Sequence, residues 1–285
     1  MKILVLGATG MAGHTISLYF KERGHKVITY SRSSFPYCEN IIGDIFDINR
    51  LVAILRNGKF DAVINCIGIL NNDAENNPAK AIYLNSYIPH FIVDVLRDYY
   101  TKYIHMSTDC VFKGNTGPYV ESNICDGRTF YDVTKAIGEV NDKKNLTFRN
   151  SIIGPDMHEK GIGLFNWFMK QSGEVIGYTG AIWTGVTTLT LAKAMEKALE
   201  DDICGLYHLV NNESISKFEM LRLFSKHFKP EIEIAVDELN VKLDKSLINT
   251  RSDFNFKVPS YEEMIIDMKD WIINHSYLYK HYLVQ

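Results

Sequence analysis

The sequence predicts an α/β protein, a doubly wound parallel sheet with a smaller, mainly helical lobe at its C-terminal end. Three observations carry that expectation. Short continuous apolar runs such as "KILVL" (2–6) and "DAVINCIGIL" (61–70) suit strands buried on both faces. Stretches of ten or more residues with helical spacing alternate with them, as βαβ units require. After about residue 150 the texture changes to Gly-rich, aromatic loops followed by further helical patterns.

Each element has its own warrant. "MAGHTISLYFKERG" (11–24) sets Ile16 and Phe20 at helical spacing and ends at Gly24. "KVITY" (26–30) is a second strand, and residues 47–58 form a helix opened by Asp47 and closed by Gly58. A third strand spans 61–70, a long helix 76–99, a strand 102–107 and a helix 129–144. In the second half, 187–201, 215–228 and 260–272 read as helices and 205–210 as a strand. The expected division is a nucleotide-binding domain at 1–149 and a substrate-binding lobe at 150–285. The chain is expected to return to the first sheet around 186–211.

Composition narrows the class. With 285 residues, 46% apolar and 23% charged, and a net charge of −3, nothing points to nucleic acid or an anionic membrane. Five scattered cysteines without CxxC spacing suit reduced thiols in the cytoplasm. No apolar run approaches a membrane span, and Met1-Lys2 leads straight into the first strand with no signal stretch. The histidines have no ligand spacing, so no metal is expected.

The chemistry begins at "GATGMAG" (7–13), between the first strand and the first helix. Gly7 permits the tight turn, Gly10 lets backbone approach a pyrophosphate, and Gly13 lets the helix pack close to the strand. Thr9 and Met11 belong to the same turn, and the helix start offers unpaired N–H groups to phosphate. This context makes the sheet Rossmann-type. "TYSRSS" (29–34) carries no carboxylate where an NAD site usually has one. Arg32 there suits a 2′-phosphate, with Ser31 and Ser33 beside it, so NADPH is expected over NADH. The competing reading of Arg32 is a solvated surface residue.

Tyr131 and Lys135 form "YDVTK", and on a helix this spacing puts both on one face. An ammonium beside a phenol lowers its pKa and makes it a usable acid–base. "HMSTDCVFKG" (105–114) ends a parallel strand, where open α/β sheets build their sites. Ser107 and Thr108 emerge there, and a hydroxyl at this point can bond a substrate carbonyl oxygen while Tyr131 delivers the proton.

The GxxGxxG spacing resembles the extended, sugar-nucleotide-acting branch of the short-chain dehydrogenase/reductase superfamily. "STDCVFKG", "YDVTK", "RNSIIGP" (149–155) and "GVTTLTLAK" (185–193) resemble the dTDP-4-dehydrorhamnose reductase family in particular. Cys110 stands where that family has Tyr, and Ile occupies a position in "RNSIIGP" where it often has Trp. The resemblance implies that Asp44 and Ile45 contact adenine, and that Asn65, Cys66, Ile67 and Gly68 line the cofactor ribose. It implies Thr108, Tyr131 and Lys135 as the catalytic set, with Asp109 and Asn150 near the sugar. Asp109 also reads as a turn-forming residue. The implied activity is NADPH-dependent reduction of a nucleotide-linked 4-keto-6-deoxy sugar for surface polysaccharide.

The substrate's own nucleotide needs a second site, where Trp167 or Trp183 is expected to stack on the base and Arg251 to pair with phosphate. The tryptophans read equally as core, and Arg251 as a surface ion pair. A 4,6-dehydratase would need Thr-Asp-Glu where Cys110 stands. An epimerase of the same fold stays open, as does a non-catalytic NADP-binding subunit like the regulatory partner of methionine adenosyltransferase. The oligomeric state is open too, with a homodimer among the readings.

Overall fold

The computed structural model describes residues 1–282. The first half runs β1 (Lys2–Leu6), α1 (Met11–Glu22), β2 (Lys26–Ser31), β3 (Glu39–Ile42), α2 (Ile48–Asn57), β4 (Ala62–Asn65), α3 (Asn71–Asn76), α4 (Pro78–Ala81), α5 (Ile88–Val95), β5 (Lys102–Ser107), α6 (Phe130–Ile137) and β6 (Leu146–Arg149). The second half runs β7 (Ser151–Ile153), α7 (Leu164–Phe168), β8 (Glu174–Tyr178), β9 (Ala181–Trp183), β10 (Gly185–Thr187), α8 (Thr188–Glu200), β11 (Gly205–His208), β12 (Ile215–Ser216), α9 (Lys217–Phe228), β13 (Glu233–Asp237), β14 (Leu243–Asp244) and α10 (Tyr261–Asn274).

Seven strands form one parallel sheet in the order β11-β6-β5-β4-β1-β2-β3. Alternate residues of β1 feed opposite cores. Ile3 and Val5 pack on the α1 side, Leu4 and Leu6 on the α2 and α5 side. That two-sided burial is why residues 3–6 are apolar throughout. β11 joins the sheet beside β6, and α8 packs against α1. The small sheets β10-β7, β12-β9-β14 and β13-β8 organise the second half.

Several boundaries differ from the periodicity. β3 has no apolar signature of its own and was not anticipated; it is a short edge strand. The strand expected at 61–70 stops at Asn65, whose side chain turns the backbone by accepting from Ile67 N at 3.0 Å. The helix expected over 76–99 is interrupted, because residues Ile82–Tyr87 form a π-helical turn between α4 and α5. Asn85 projects from this wide turn, its side chain bonded to Ile69 N, Ile69 O and Thr134 Oγ1. α6 ends at Ile137, with Gly138 as its cap, short of residue 144.

The sheet order reverses at β1, which has β2 on one side and β4 on the other. Open α/β sheets bind ligands in the crevice at the carboxyl ends of such strands. The chain's large cleft opens there.

Candidate active site

A cleft of about 1070 Å³ runs from the glycine turn past the ends of β4 and β5 to the loop after β7. Its first wall is the turn itself. Gly7 has φ +84°, a conformation that costs glycine nothing. A side chain on Gly13 would collide with Gly7 O and stand 3.0 Å from Ala8 Cα, so Gly13 serves helix–strand packing and stays outside the cleft. Gly10 is different. A Cβ there would meet nothing nearer than Gly7 O at 3.5 Å, so the protein does not itself require glycine at this position. The space it leaves opens on the cleft, at the start of a 12-residue helix with no side-chain cap. An uncapped helix start with bare backbone before it fits a pyrophosphate.

Thr9, Met11, Ser31, Arg32, Asp44, Ile45, Asn65, Cys66, Ile67 and Gly68 all line this part. Arg32 is exposed and, among the described residues, makes no ion pair. The Ser31 hydroxyl does not support it as expected. It is buried, donating to Ser33 O at 2.7 Å and accepting from Asn40 at 3.0 Å, so it is committed within its own loop. Asp44 caps its turn, accepting from Phe46 N at 3.1 Å, while still lining the cleft. Burial pushes the Cys66 thiol up to about 12, leaving it a neutral filler.

The second wall carries the reactive groups. A capping box between Thr129 and Asp132 starts α6, and Tyr131 and Lys135 lie one turn apart on its buried face. Both line the cleft with Thr108 from the end of β5. Lys135 Nζ donates to Met106 O at 2.5 Å. Burial lowers its pKa to about 8, with Glu139 pulling in the opposite direction. The Tyr131 phenol is pushed up, by burial first and then by Cys110, and Thr108 opposes the shift only partly. The spacing predicts a phenol lowered by Lys135; in the structure burial is the largest influence on Tyr131 and acts in the opposite direction. Thr108 Oγ1 accepts from Cys110 N and donates to Asp109 Oδ1, both at 3.1 Å.

Asp109 does not face the sugar side. It is buried behind Thr108, accepts from Ser151 Oγ at 2.6 Å, and does not line the cleft. Burial raises its pKa. Asn150 does line the cleft; its amide donates to Ser151 O at 3.1 Å, and its buried Oδ1 has no partner among the described residues.

The three candidates for the substrate's nucleotide lie elsewhere. Trp167 is exposed on α7, off the cleft, because its neighbours Phe165, Asn166 and Phe168 take the inward positions. Trp183 packs on Tyr261 with ring centroids 5.8 Å apart. Arg251 reaches the amino end of β11, donating to Cys204 O at 2.7 Å and Leu206 O at 2.9 Å and pairing with Asp253. That is the opposite end of the sheet from the cleft. In their place the cleft has His158 and Lys160 on the loop after β7, and Asn71, Asn72 and Lys80 around α3 and α4. No periodicity marks these residues; the Gly-rich "GPDMHEKGIG" (154–163) was the one signal for His158 and Lys160, and Asn71, Asn72 and Lys80 had none.

A Rossmann sheet with a glycine turn on one wall and a Tyr-x-x-x-Lys pair on the other defines an NAD(P)-dependent oxidoreductase of the extended short-chain type. The chain belongs to the RmlD substrate binding domain family, whose model matches residues 1–240. It is 28% identical over 255 residues to dTDP-4-dehydrorhamnose reductase of Escherichia coli, covering 84% of this chain and 83% of that one. It is 26% identical over 253 residues to methionine adenosyltransferase 2 subunit beta of Xenopus laevis, covering 80% and 75%. A probable low-salt glycan biosynthesis reductase of Haloferax volcanii is 35% identical over 124 residues, 42% of this chain and 41% of that protein. The structure of a Bacillus anthracis dTDP-4-dehydrorhamnose reductase in complex with NADP matches with a TM-score of 0.75 at 18% identity, covering 93% and 99%. Among the described residues no helix is long and apolar enough to cross a membrane.

Proposed function

We propose that this protein is an NADPH-dependent reductase of a nucleotide-linked 4-keto-6-deoxy sugar, supplying an activated deoxysugar for surface polysaccharide. The observation that carries the reading is the convergence of Thr108, Tyr131 and Lys135 on the cleft that begins at the uncapped glycine turn. When bound, the reduced nicotinamide supplies hydride. The chain's own groups do the rest. Tyr131, kept protonated by burial, donates its proton to the oxygen that develops negative charge. Lys135 stabilises the phenolate left behind. Thr108 and Asn150 line the cleft beside the sugar, and Arg32 takes a 2′-phosphate. Lys160 replaces Arg251 as the cation for the substrate's diphosphate, with the His158 ring beside it as a hydrogen-bonding group.

The test is NADPH consumption, followed by absorbance, against a panel of nucleotide-linked 4-keto sugars. Consumption with at least one sugar supports the reading. Tight NADPH binding without turnover on any of them favours a non-catalytic NADP-binding subunit. Product formation with no net NADPH loss favours an epimerase.

Two wider readings belong with this one. The five unpaired cysteines support a cytoplasmic location. A homodimer is supported by an apolar band on neighbouring helices, where Ile82, Tyr87, Phe130, Val133 and Ile137 are all exposed. Sedimentation of the protein as a monomer at micromolar concentration would remove the dimer reading.

A further inference from the structure

Behind the cleft, Glu139 lies one turn beyond Lys135 and just past the end of α6. The two side chains grip consecutive residues at the end of β5. Lys135 Nζ bonds Met106 O at 2.5 Å, and Glu139 Oε1 accepts from Ser107 Oγ at 2.5 Å. The next residue is Thr108. Glu139 is held in turn by Arg149, through Nε to Oε1 at 2.8 Å and Nη2 to Oε2 at 2.5 Å. Arg149 is Ser107's partner in the parallel register of β5 and β6 and is only 2% exposed. Its remaining Nη1 reaches His208 Nε2 at 2.9 Å on β11, and its guanidinium lies over the Phe112 ring.

An ion pair this buried is weak evidence of stability, since desolvation offsets much of its attraction. Its position suggests another use. We infer that Glu139, clamped by Arg149 and Ser107, is a positioning residue that fixes the strand end carrying Thr108 and sets a carboxylate one turn from Lys135. This inference rests on the reductase reading for its kinetic consequence but not for the coupling itself.

The groups facing Lys135 leave that role to Glu139. Tyr131 and Cys66 are held neutral by burial, and His105 on β5 is kept uncharged by burial and by Lys135 itself. Arg149, behind Glu139, is a cation and opposes the ammonium. Glu139 is the carboxylate in the set and acts to raise the Lys135 pKa against the desolvation that lowers it.

The experiment is a pH titration of the Lys135 side chain by NMR on protein labelled at lysine Cε, assigned with Lys135→Arg. It is paired with kcat/KM against pH. In Glu139→Gln the Lys135 midpoint should fall by about 1 pH unit or more, the effect of losing a nearby opposite charge. The alkaline limb of kcat/KM should move down with it, and Glu139→Asp should restore most of both. An unchanged midpoint, with activity lowered equally at every pH, would overturn the inference and leave Glu139 a structural brace. If Glu139→Gln leaves Arg149 unpaired and fails to fold, Glu139→Gln/Arg149→Met removes the orphaned cation. Its Lys135 midpoint should still lie below the wild-type value, by a smaller margin, and an unchanged value there overturns the inference equally. The NMR arm needs no turnover, so a wild-type protein inactive on every keto sugar would sink the reductase reading without touching this coupling.

Discussion

The two walls of the cleft were built in different ways. On the cofactor wall, short motifs act mainly through backbone: a positive φ at Gly7, close packing at Gly13, open space at Gly10, a turn held by Asn65. On the other wall, side chains from α6, the end of β5 and the loop after β7 converge, while Trp183 and Arg251 are held elsewhere and Trp167 is exposed off the cleft. Backbone jobs confine residue type and spacing locally, so a sequence displays them. A side chain's destination depends on how distant segments pack, and a sequence displays that poorly.

The largest expected effect lies where the walls meet. Tyr131→Phe keeps the ring and removes the proton donor, so kcat should fall by about 10²–10⁴-fold while NADPH affinity survives. Stopped-flow turnover and fluorescence titration of NADPH check the two halves. Near-normal turnover would make the Tyr–Lys pair incidental and require another proton donor.

The same division governs how much could be read in advance. The parallel sheet was legible because β1 and β4 are buried on both faces and carry short apolar runs, Ile3 to Leu6 and Ala62 to Ile64, between helical stretches. The π turn at Ile82–Tyr87 was not, because it keeps an apolar, helix-like pattern while Asn85 is aimed inward to brace Ile69 and Thr134. "YDVTK" gave the correct face, yet its electrostatics depended on burial that spacing does not encode. Asp109 follows Thr108 directly but points behind it to Ser151, which a strand-end motif cannot reveal.

Next in size is the cofactor wall's own side-chain contact. Charged hydrogen bonds contribute about 1.5–3 kcal/mol, so Arg32→Ala should weaken NADPH by about 10- to 150-fold. NADH should be little affected. Calorimetric titration with both cofactors sharpens the comparison; equal losses would mean Arg32 does not meet a 2′-phosphate.

Lys160 tests the substrate wall in the same currency. It is exposed on a loop, so its contribution is screened and should sit at the low end of that range. Lys160→Ala should raise KM for the sugar nucleotide by about 10-fold, leaving kcat and NADPH affinity near wild type. A fall in kcat at unchanged KM would place the diphosphate away from this loop.

Arg251 should give the smallest catalytic effect, and it is the sharpest control on the comparison. Its guanidinium satisfies the Cys204 and Leu206 carbonyls at the amino end of β11 and lies over the Tyr207 ring. Its pair with Asp253 is largely exposed at the carboxylate and contributes little. Arg251→Ala should therefore leave KM and NADPH affinity unchanged. It should destabilise the fold by about 1–2 kcal/mol, because backbone acceptors lose a charged donor. For a chain of this size that is a fall in Tm of a few degrees, about 2–4 °C for each kcal/mol. Differential scanning calorimetry beside a KM measurement separates the outcomes. A raised KM at unchanged Tm would return Arg251 to the substrate, and the two walls would then be equally legible from sequence.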